Sequence, residues 1–188
     1  AMGNANPNND YVVPSSPTDG ISSLTFSASS QFLVASSWAS TVSCWETQVQ
    51  ESMGSSQISA APRAQITVSA PALCTAMSAD SANVFVGLGD GQAQMWTLGQ
   101  QQAQTFGKHD APIKSIHSVP ELNCVFTGSW DKTIKCWDLR QPTPTASIAL
   151  PERCYSMDIR HPLMVVGTAE RKILIYNLSS GSWQQPCR

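Results

Sequence analysis

His109, Thr127, Ser129, Asp131 and Trp137 fall in one short stretch of the chain. An imidazole, a hydroxyl and a carboxylate are the components of a nucleophilic triad, which is defined by geometry and by a nucleophile facing a pocket. The same groups, with an indole N–H added, can instead satisfy one another in a buried hydrogen-bond network. These types recur where a repeated unit needs them, so the network is the expected role, with Ser129 or Thr127 supplying the hydroxyl. Gly87-Leu88-Gly89-Asp90-Gly91 has the glycines of a phosphate cradle, but such a loop needs a helix N-terminus behind it, and here a strand containing Trp96 follows. A tight turn between strands is expected instead. His117 and His161 have no metal-ligand partners at useful spacing, and no pair among the six cysteines has CxxC spacing. No metal or other cofactor is expected. Trp38 and Trp130 stand apart: each precedes a strand-ending tryptophan, Trp45 or Trp137, by seven residues. An exposed indole at a turn has little folding role, so the two are expected to anchor a bound peptide.

The elements that position these residues come from a repeat. The stretch from Val125 to Asp138 returns with variation three more times. Its strand-ending aromatics, Trp45, Trp96, Trp137 and Tyr176, are 51, 41 and 39 residues apart. Ile21, Ala72, Ile113 and Cys154 open short apolar runs that are 51, 41 and 41 apart. Two landmarks agree on the period of a WD-repeat blade. Within each unit the hydrophobicity alternates with a period of two, as in Val42-Ser43-Cys44-Trp45, and no stretch has convincing helical periodicity. The expected fold is therefore all-β, a WD-repeat β-propeller with about four blades at residues 19–69, 70–110, 111–152 and 153–181.

Fourth strands are expected at Gln65–Val68, Ala103–Phe106 and Ala146–Leu150. The last blade lacks one, since only the tail 182–188 remains and Pro186 argues against pairing there. A propeller loses its sheet edges only when the ring closes. The chain therefore reads as the first half of a larger ring, expected to self-associate through open propeller edges or to be completed by additional residues. Residues 1–9 are polar and low in complexity, a tail expected to be disordered, with Ala1 before Met2 as a cloning remnant. Tyr11-Val12-Val13 is expected to form a short strand, and Gln48 to Ala61 a surface loop inserted into blade one.

Composition bounds the function. The 188 residues are 41% hydrophobic and 13% charged, which suits a globular chain with a sizeable core. Eleven basic against thirteen acidic residues give a net charge of −2, too little field to gather nucleic acid or anionic lipid, so direct RNA binding is disfavoured. Cys44, Cys136 and Cys154 fall in expected strands, with Cys74 and Cys124 beside strand starts. Buried free thiols are expected, which points to a reducing compartment. No run has the form of a signal peptide or a membrane span, which points to the cytosol or nucleus and leaves the sequon at Asn177 unused.

Several motifs go beyond WD repeats in general. Asp10-Tyr11-Val12-Val13 with Ser15-Ser16-Pro17, Ser36-Ser37-Trp38, Lys108-His109-Asp110-Ala111-Pro112 and Thr127-Gly128-Ser129-Trp130-Asp131-Lys132 are among them. Pro151-Glu152-Arg153-Cys154-Tyr155 and Thr168-Ala169-Glu170-Arg171 add to these. Together, over residues 10 to 178, they resemble the nuclear-pore mRNA export factors, the RNA export or Gle family of WD-repeat propellers. The resemblance implies a seven-bladed, non-enzymatic scaffold that grips the GLEBS hairpin of a GLFG-repeat nucleoporin on its top face and supports mRNA export. Family members also serve spindle assembly, so mRNP or spindle proteins are further implied partners, and the implied location is the nucleus, nuclear pore and cytoplasm. Carried over to this sequence, Trp38 and Trp130 fall on the peptide-facing surface, with Asp131 and Lys132 beside the second and Arg153 the nearest candidate cation. Asp10–Val13 would complete the last blade. The competing expectation is the related mitotic checkpoint scaffold, which binds phosphorylated kinetochore peptides and would require a basic cluster near the two tryptophans.

Overall fold

β-Branched and aromatic residues alternating with small polar ones make short strands, and the computed structural model, which describes residues 10–52 and 55–180, folds as antiparallel sheets. Strands β1 (Ile21–Phe26), β2 (Phe32–Ser37), β3 (Thr41–Ser52) and β4 (Ser55–Thr67) form the first sheet in chain order. The second comprises β5 (Ala72–Met77), β6 (Asn83–Leu88), β7 (Gln92–Thr97) and β8 (Gln104–Lys108). The third contains β9 (Ile113–Val119), β10 (Cys124–Ser129), β11 (Thr133–Trp137) and β12 (Ala146–Ala149). The fourth has three described strands, β13 (Cys154–Arg160), β14 (Leu163–Thr168) and β15 (Ile173–Asn177). Helical structure among the described residues is limited to 3₁₀ turns at Pro120–Leu122 and Leu178–Ser180.

The core lies between sheets. Val34 and Val42 of blade one pack with Val84, Val86 and Trp96 of blade two. Phe85 and Ala93 of blade two pack with Ile116 and Val125 of blade three, and Phe126 and Ile134 of blade three pack with Met164, Val166 and Tyr176 of blade four. Each buried Val, Ile, Phe or Met among them contributes about 1.5–3 kcal/mol. Close approach of sheets requires glycine at two equivalent places. A Cβ on Gly87 would lie 2.6 Å from Ile113 Cγ2 of the next sheet, and one on Gly128 would lie 2.6 Å from Cys154 Sγ of the next.

The innermost strands of neighbouring blades are joined by side chains donating to main-chain carbonyls. Thr25 Oγ1 donates to Thr75 O at 2.9 Å, and Ser22 donates to Ala72 O. Cys74 Sγ–H points at Ile113 O at 3.5 Å, and His117 Nε2–H donates to Met157 O at 2.7 Å. Cys44, Cys74, Cys136 and Cys154 are buried and free. Burial pushes the Cys44 and Cys154 thiols up to about 11 and those of Cys74 and Cys136 up to about 12, which leaves them poor nucleophiles.

Two expectations are corrected. Gln48 to Ala61 is not a loop: it belongs to a long hairpin in which β3 and β4 pair from Thr41↔Thr67 to Ser52↔Ser55, with a bulge at Arg63 between the paired positions Pro62 and Ala64. β2 stops pairing at Glu46, so the ribbon runs on past its own sheet. Asp10–Val13 is not a strand within these residues. It crosses the outer part of blade one, where the Tyr11 hydroxyl accepts the Ala60 N–H at 2.9 Å and Trp45 Nε1–H donates to Pro14 O at 2.7 Å. Val13 packs there on Ala35, Trp45 and Ala60. The tail at 1–9 and the segment 182–188 lie outside the described residues.

Candidate peptide-binding face

The four turns between second and third strands share one geometry. The first residue of each donates its N–H to the carbonyl that precedes the innermost strand: Trp38 to Gly20, Gly89 to Pro71, Trp130 to Pro112 and Ala169 to Arg153, at 2.9–3.1 Å. The third residue, Ser40, Gly91, Lys132 or Arg171, is left-handed, with φ of 58, 85, 66 and 66°. Trp38, Gly89, Trp130 and Ala169 are therefore equivalent, as the spacing implied, and all lie at the same end of their sheets. The Gly87–Gly91 stretch ends β6 and turns into β7 with no helix behind it.

Trp38 is 54% exposed and lies across Gly20, where an added Cβ would be 3.5 Å from its Cδ1. Trp130 is 37% exposed, and its ring centroid is 6.3 Å from that of Tyr155, tilted by 56°. The Arg153 guanidinium sits 5.6 Å over the Tyr155 ring. Lys132 and Arg153 both pair with Glu152, Arg153 Nε at 3.2 Å, and hydrogen bonding from Lys132 holds the Glu152 carboxyl down to about 2. Blades three and four thus present an aromatic step with cations at its border. Sequence reasoning missed Tyr155. It is the extra residue at a β-bulge, between the paired positions Cys154 and Ser156, and the bulge re-aims its side chain.

Asp131 does not join this surface. Its Oδ1 accepts from Thr133 N–H at 2.9 Å and Thr133 Oγ1–H at 2.6 Å, and its Oδ2 accepts from His109 Nδ1–H at 2.8 Å and from Asp110 N–H at 3.2 Å. With Nδ1 donating, His109 Nε2 accepts from Thr127 Oγ1 at 2.7 Å, which in turn accepts Trp137 Nε1–H at 2.8 Å. Gly107 lies flat beneath the indole, since a Cβ there would be 2.8 Å from the ring. Ser129 is outside this relay: it donates to the Ala111 and Pro112 carbonyls and accepts Asp131 N–H, all at 3.0 Å, which fixes the turn. Val68 and Leu150 occupy the His109 position in blades one and three-to-four, so Asp90 has no imidazole partner and binds Gln92 and Ser69 instead. Among the described residues no group of three His, Cys, Asp or Glu could hold a metal ion.

Burial lowers the His109 pKa and outweighs the upward pull of Asp131; burial lowers that of His117 as well. Burial pushes the Asp131 carboxyl up, but the bonds from Thr133 and His109 outweigh it and keep the group below its ordinary value. Since the unfolded histidines titrate near 6.5 and the folded ones lower, the unfolded chain binds more protons as pH falls through that value. The stability these histidines lend is full above pH 6.5 and drains below it, before Asp131 is protonated. Thermal melts should show the midpoint falling between pH 7 and 5, and His117→Gln should flatten part of that slope.

Sheets of four meandering strands arranged in chain order, with the His109–Thr127–Trp137 relay closing on Asp131, define a β-propeller of the WD-repeat class. A family profile described as nucleolar protein 10-like, N-terminal domain, a β-propeller, matches residues 9–176, and the chain belongs to that family. It is 44% identical over 177 residues to Protein Rae1 of Drosophila melanogaster, covering 92% of this chain and 49% of that one. It is 44% identical over 181 residues to Protein RAE1 of Arabidopsis thaliana, covering 96% and 51%. Against the mRNA export factor of Xenopus tropicalis the identity is 42%, over 96% of this chain and 48% of that one. The chain spans about half the length of the curated relatives it matches. The computationally designed Ika4 protein superposes with a TM-score of 0.71 over 90% of this chain and 98% of its own, at 17% identity, a likeness of fold alone.

Proposed function

We propose that this chain is part of a non-enzymatic WD-repeat scaffold for mRNA export, which docks at the nuclear pore by binding a GLEBS-type nucleoporin peptide across the turn face. The observation that carries this reading is the exposed step of Trp130 and Tyr155, bordered by Lys132 and Arg153, with Trp38 exposed at the equivalent turn of blade one. Rigid, half-buried aromatics beside cations are the residue types that concentrate binding energy at protein interfaces. The export-factor relatives are consistent with it. The phosphopeptide alternative is disfavoured because both nearby cations already pair with Glu152, which leaves the cluster one net positive charge, and a phosphate would have to compete with that carboxylate. Isothermal titration of the chain with a GLEBS-type hairpin peptide and with a phosphorylated linear peptide separates the two. Binding of the hairpin alone is expected; binding only of the phosphopeptide would overturn the export reading.

A further inference from the structure

The connection from β11 to β12 lies at the end of the third sheet opposite the turn that carries Trp130. Both of its ends are tied down. Gln141 N–H donates to Asp138 O at 2.9 Å and Thr145 N–H to Cys136 O at 2.8 Å, while the Asp138 carboxylate takes Arg140 N–H at 3.1 Å and the Arg140 guanidinium at 2.8 and 2.6 Å. The stretch between them, Pro142-Thr143-Pro144, is different. Neither proline has an N–H, Thr143 is exposed, and among the described residues no hydrogen bond or ion pair holds any of the three.

Such a stretch can be drawn into another protein's cleft without breaking a bond in its own sheet, so its local opening costs little. Pro144 adds a chemical mark. It disfavours the helical conformation at Thr143 and biases that residue toward the extended form in which a kinase cleft takes up its acceptor, with the proline ring directly after the hydroxyl. The chain has one other hydroxyl residue followed by proline, Ser16 before Pro17. Ser16 is exposed as well, yet its hydroxyl is spent on Val13 O at 2.8 Å, and the neighbouring Pro14 O holds the Trp45 indole at 2.7 Å. Exposure does not separate the two sites; hydrogen bonding does.

We propose that Thr143 is a phosphorylation site, modified in preference to Ser16 by a proline-directed serine/threonine kinase, and that its phosphate takes the Arg140 guanidinium over from Asp138. Thr143 Oγ1 attacks the γ-phosphorus of ATP, the bond from that phosphorus to the β–γ bridging oxygen breaks, ADP leaves, and the hydroxyl proton passes to the catalytic carboxylate of the kinase. The product carries about two negative charges against the single charge of Asp138, and the Arg140 side chain, 81% exposed, can turn through solvent from one to the other. The modification lies away from the peptide-binding face and is independent of it.

The folded 188-residue chain, incubated with a mitogen-activated protein kinase and MgATP and sampled over time by tandem mass spectrometry, tests the assignment. Phosphate should accumulate on Thr143 well before Ser16. Thr143→Ala should lose that phosphopeptide, and Pro144→Ala, which keeps the acceptor hydroxyl, should lose it too; both variants should match the parent in circular dichroism, since neither residue holds a partner. A chain with no phosphate on Thr143, one labelled first on Ser16, or label on Thr143 that survives Pro144→Ala would overturn the assignment. The transfer of Arg140 has its own readout. Hydrogen bonding from Arg140 holds the Asp138 carboxyl down to about 2, so carboxyl NMR titration of the phosphorylated chain should find Asp138 raised toward the ordinary carboxylate range, and phosphorylation of Arg140→Gln should shift it far less. An unmoved Asp138, or an equal shift without Arg140, would overturn the transfer.

Discussion

Replacing Trp130 by alanine should leave the chain folded and weaken its binding of a GLEBS-type peptide by about 2 kcal/mol or more, roughly 30-fold in Kd. The turn that carries Trp130 is fixed by main-chain groups and by Ser129, none of which the substitution touches: Trp130 N–H still donates to Pro112 O, and Ser129 still caps the turn. What is removed is the indole that leans on Tyr155. The loss should therefore appear in calorimetric binding and not in the melting curve. Tyr155→Ala should produce a loss of the same kind, because the two rings form one step. Unchanged affinity in both variants would remove the peptide site from this face.

Asp131→Ala should destabilise the fold by about 1–3 kcal/mol for each buried group left without a partner. Two are at risk. His109 Nδ1–H loses its acceptor, and Thr133 loses the carboxylate oxygen that takes both its N–H and its hydroxyl. The relay through Thr127 to Trp137 also loses the group that sets the histidine tautomer. Asp131→Asn should restore part of the loss, because its carbonyl oxygen can still accept from His109. Denaturant midpoints for the two variants supply the check, and a melt indistinguishable from the parent would mean that the relay contributes nothing to stability.

The spacing of Trp45, Trp96, Trp137 and Tyr176 made the sheet order readable, because side-chain periodicity and blade period are both properties of the linear sequence. The β3–β4 ribbon was not readable. From Gln48 to Ala61 the apolar residues that face each other are Val49 and Ile58, too few for a period of two, and strand pairing with Gln and Ser neighbours makes the structure there. Asp131 shows the opposite difficulty. Its residue type pointed to the buried network and the family resemblance to the binding surface; the turn directs adjacent side chains to opposite fates, Trp130 out to solvent and Asp131 into the relay. Tyr155 was hidden within an apolar run because nothing in the residue types announces a bulge. Asp10–Val13 was misread because a strand there depends on a neighbour that only tertiary structure can supply.

The hydroxyl, thiol and imidazole links between innermost strands have a kinetic consequence. The described sheets share no continuous backbone ladder, so one sheet can open without unzipping the next, and each should exchange its amide protons with solvent as a separate unit. Among the described residues, blades two and three are packed on both faces and must break two junctions to open, whereas blade four is packed on its blade-three face. Protection should therefore fall from the middle sheets toward β15.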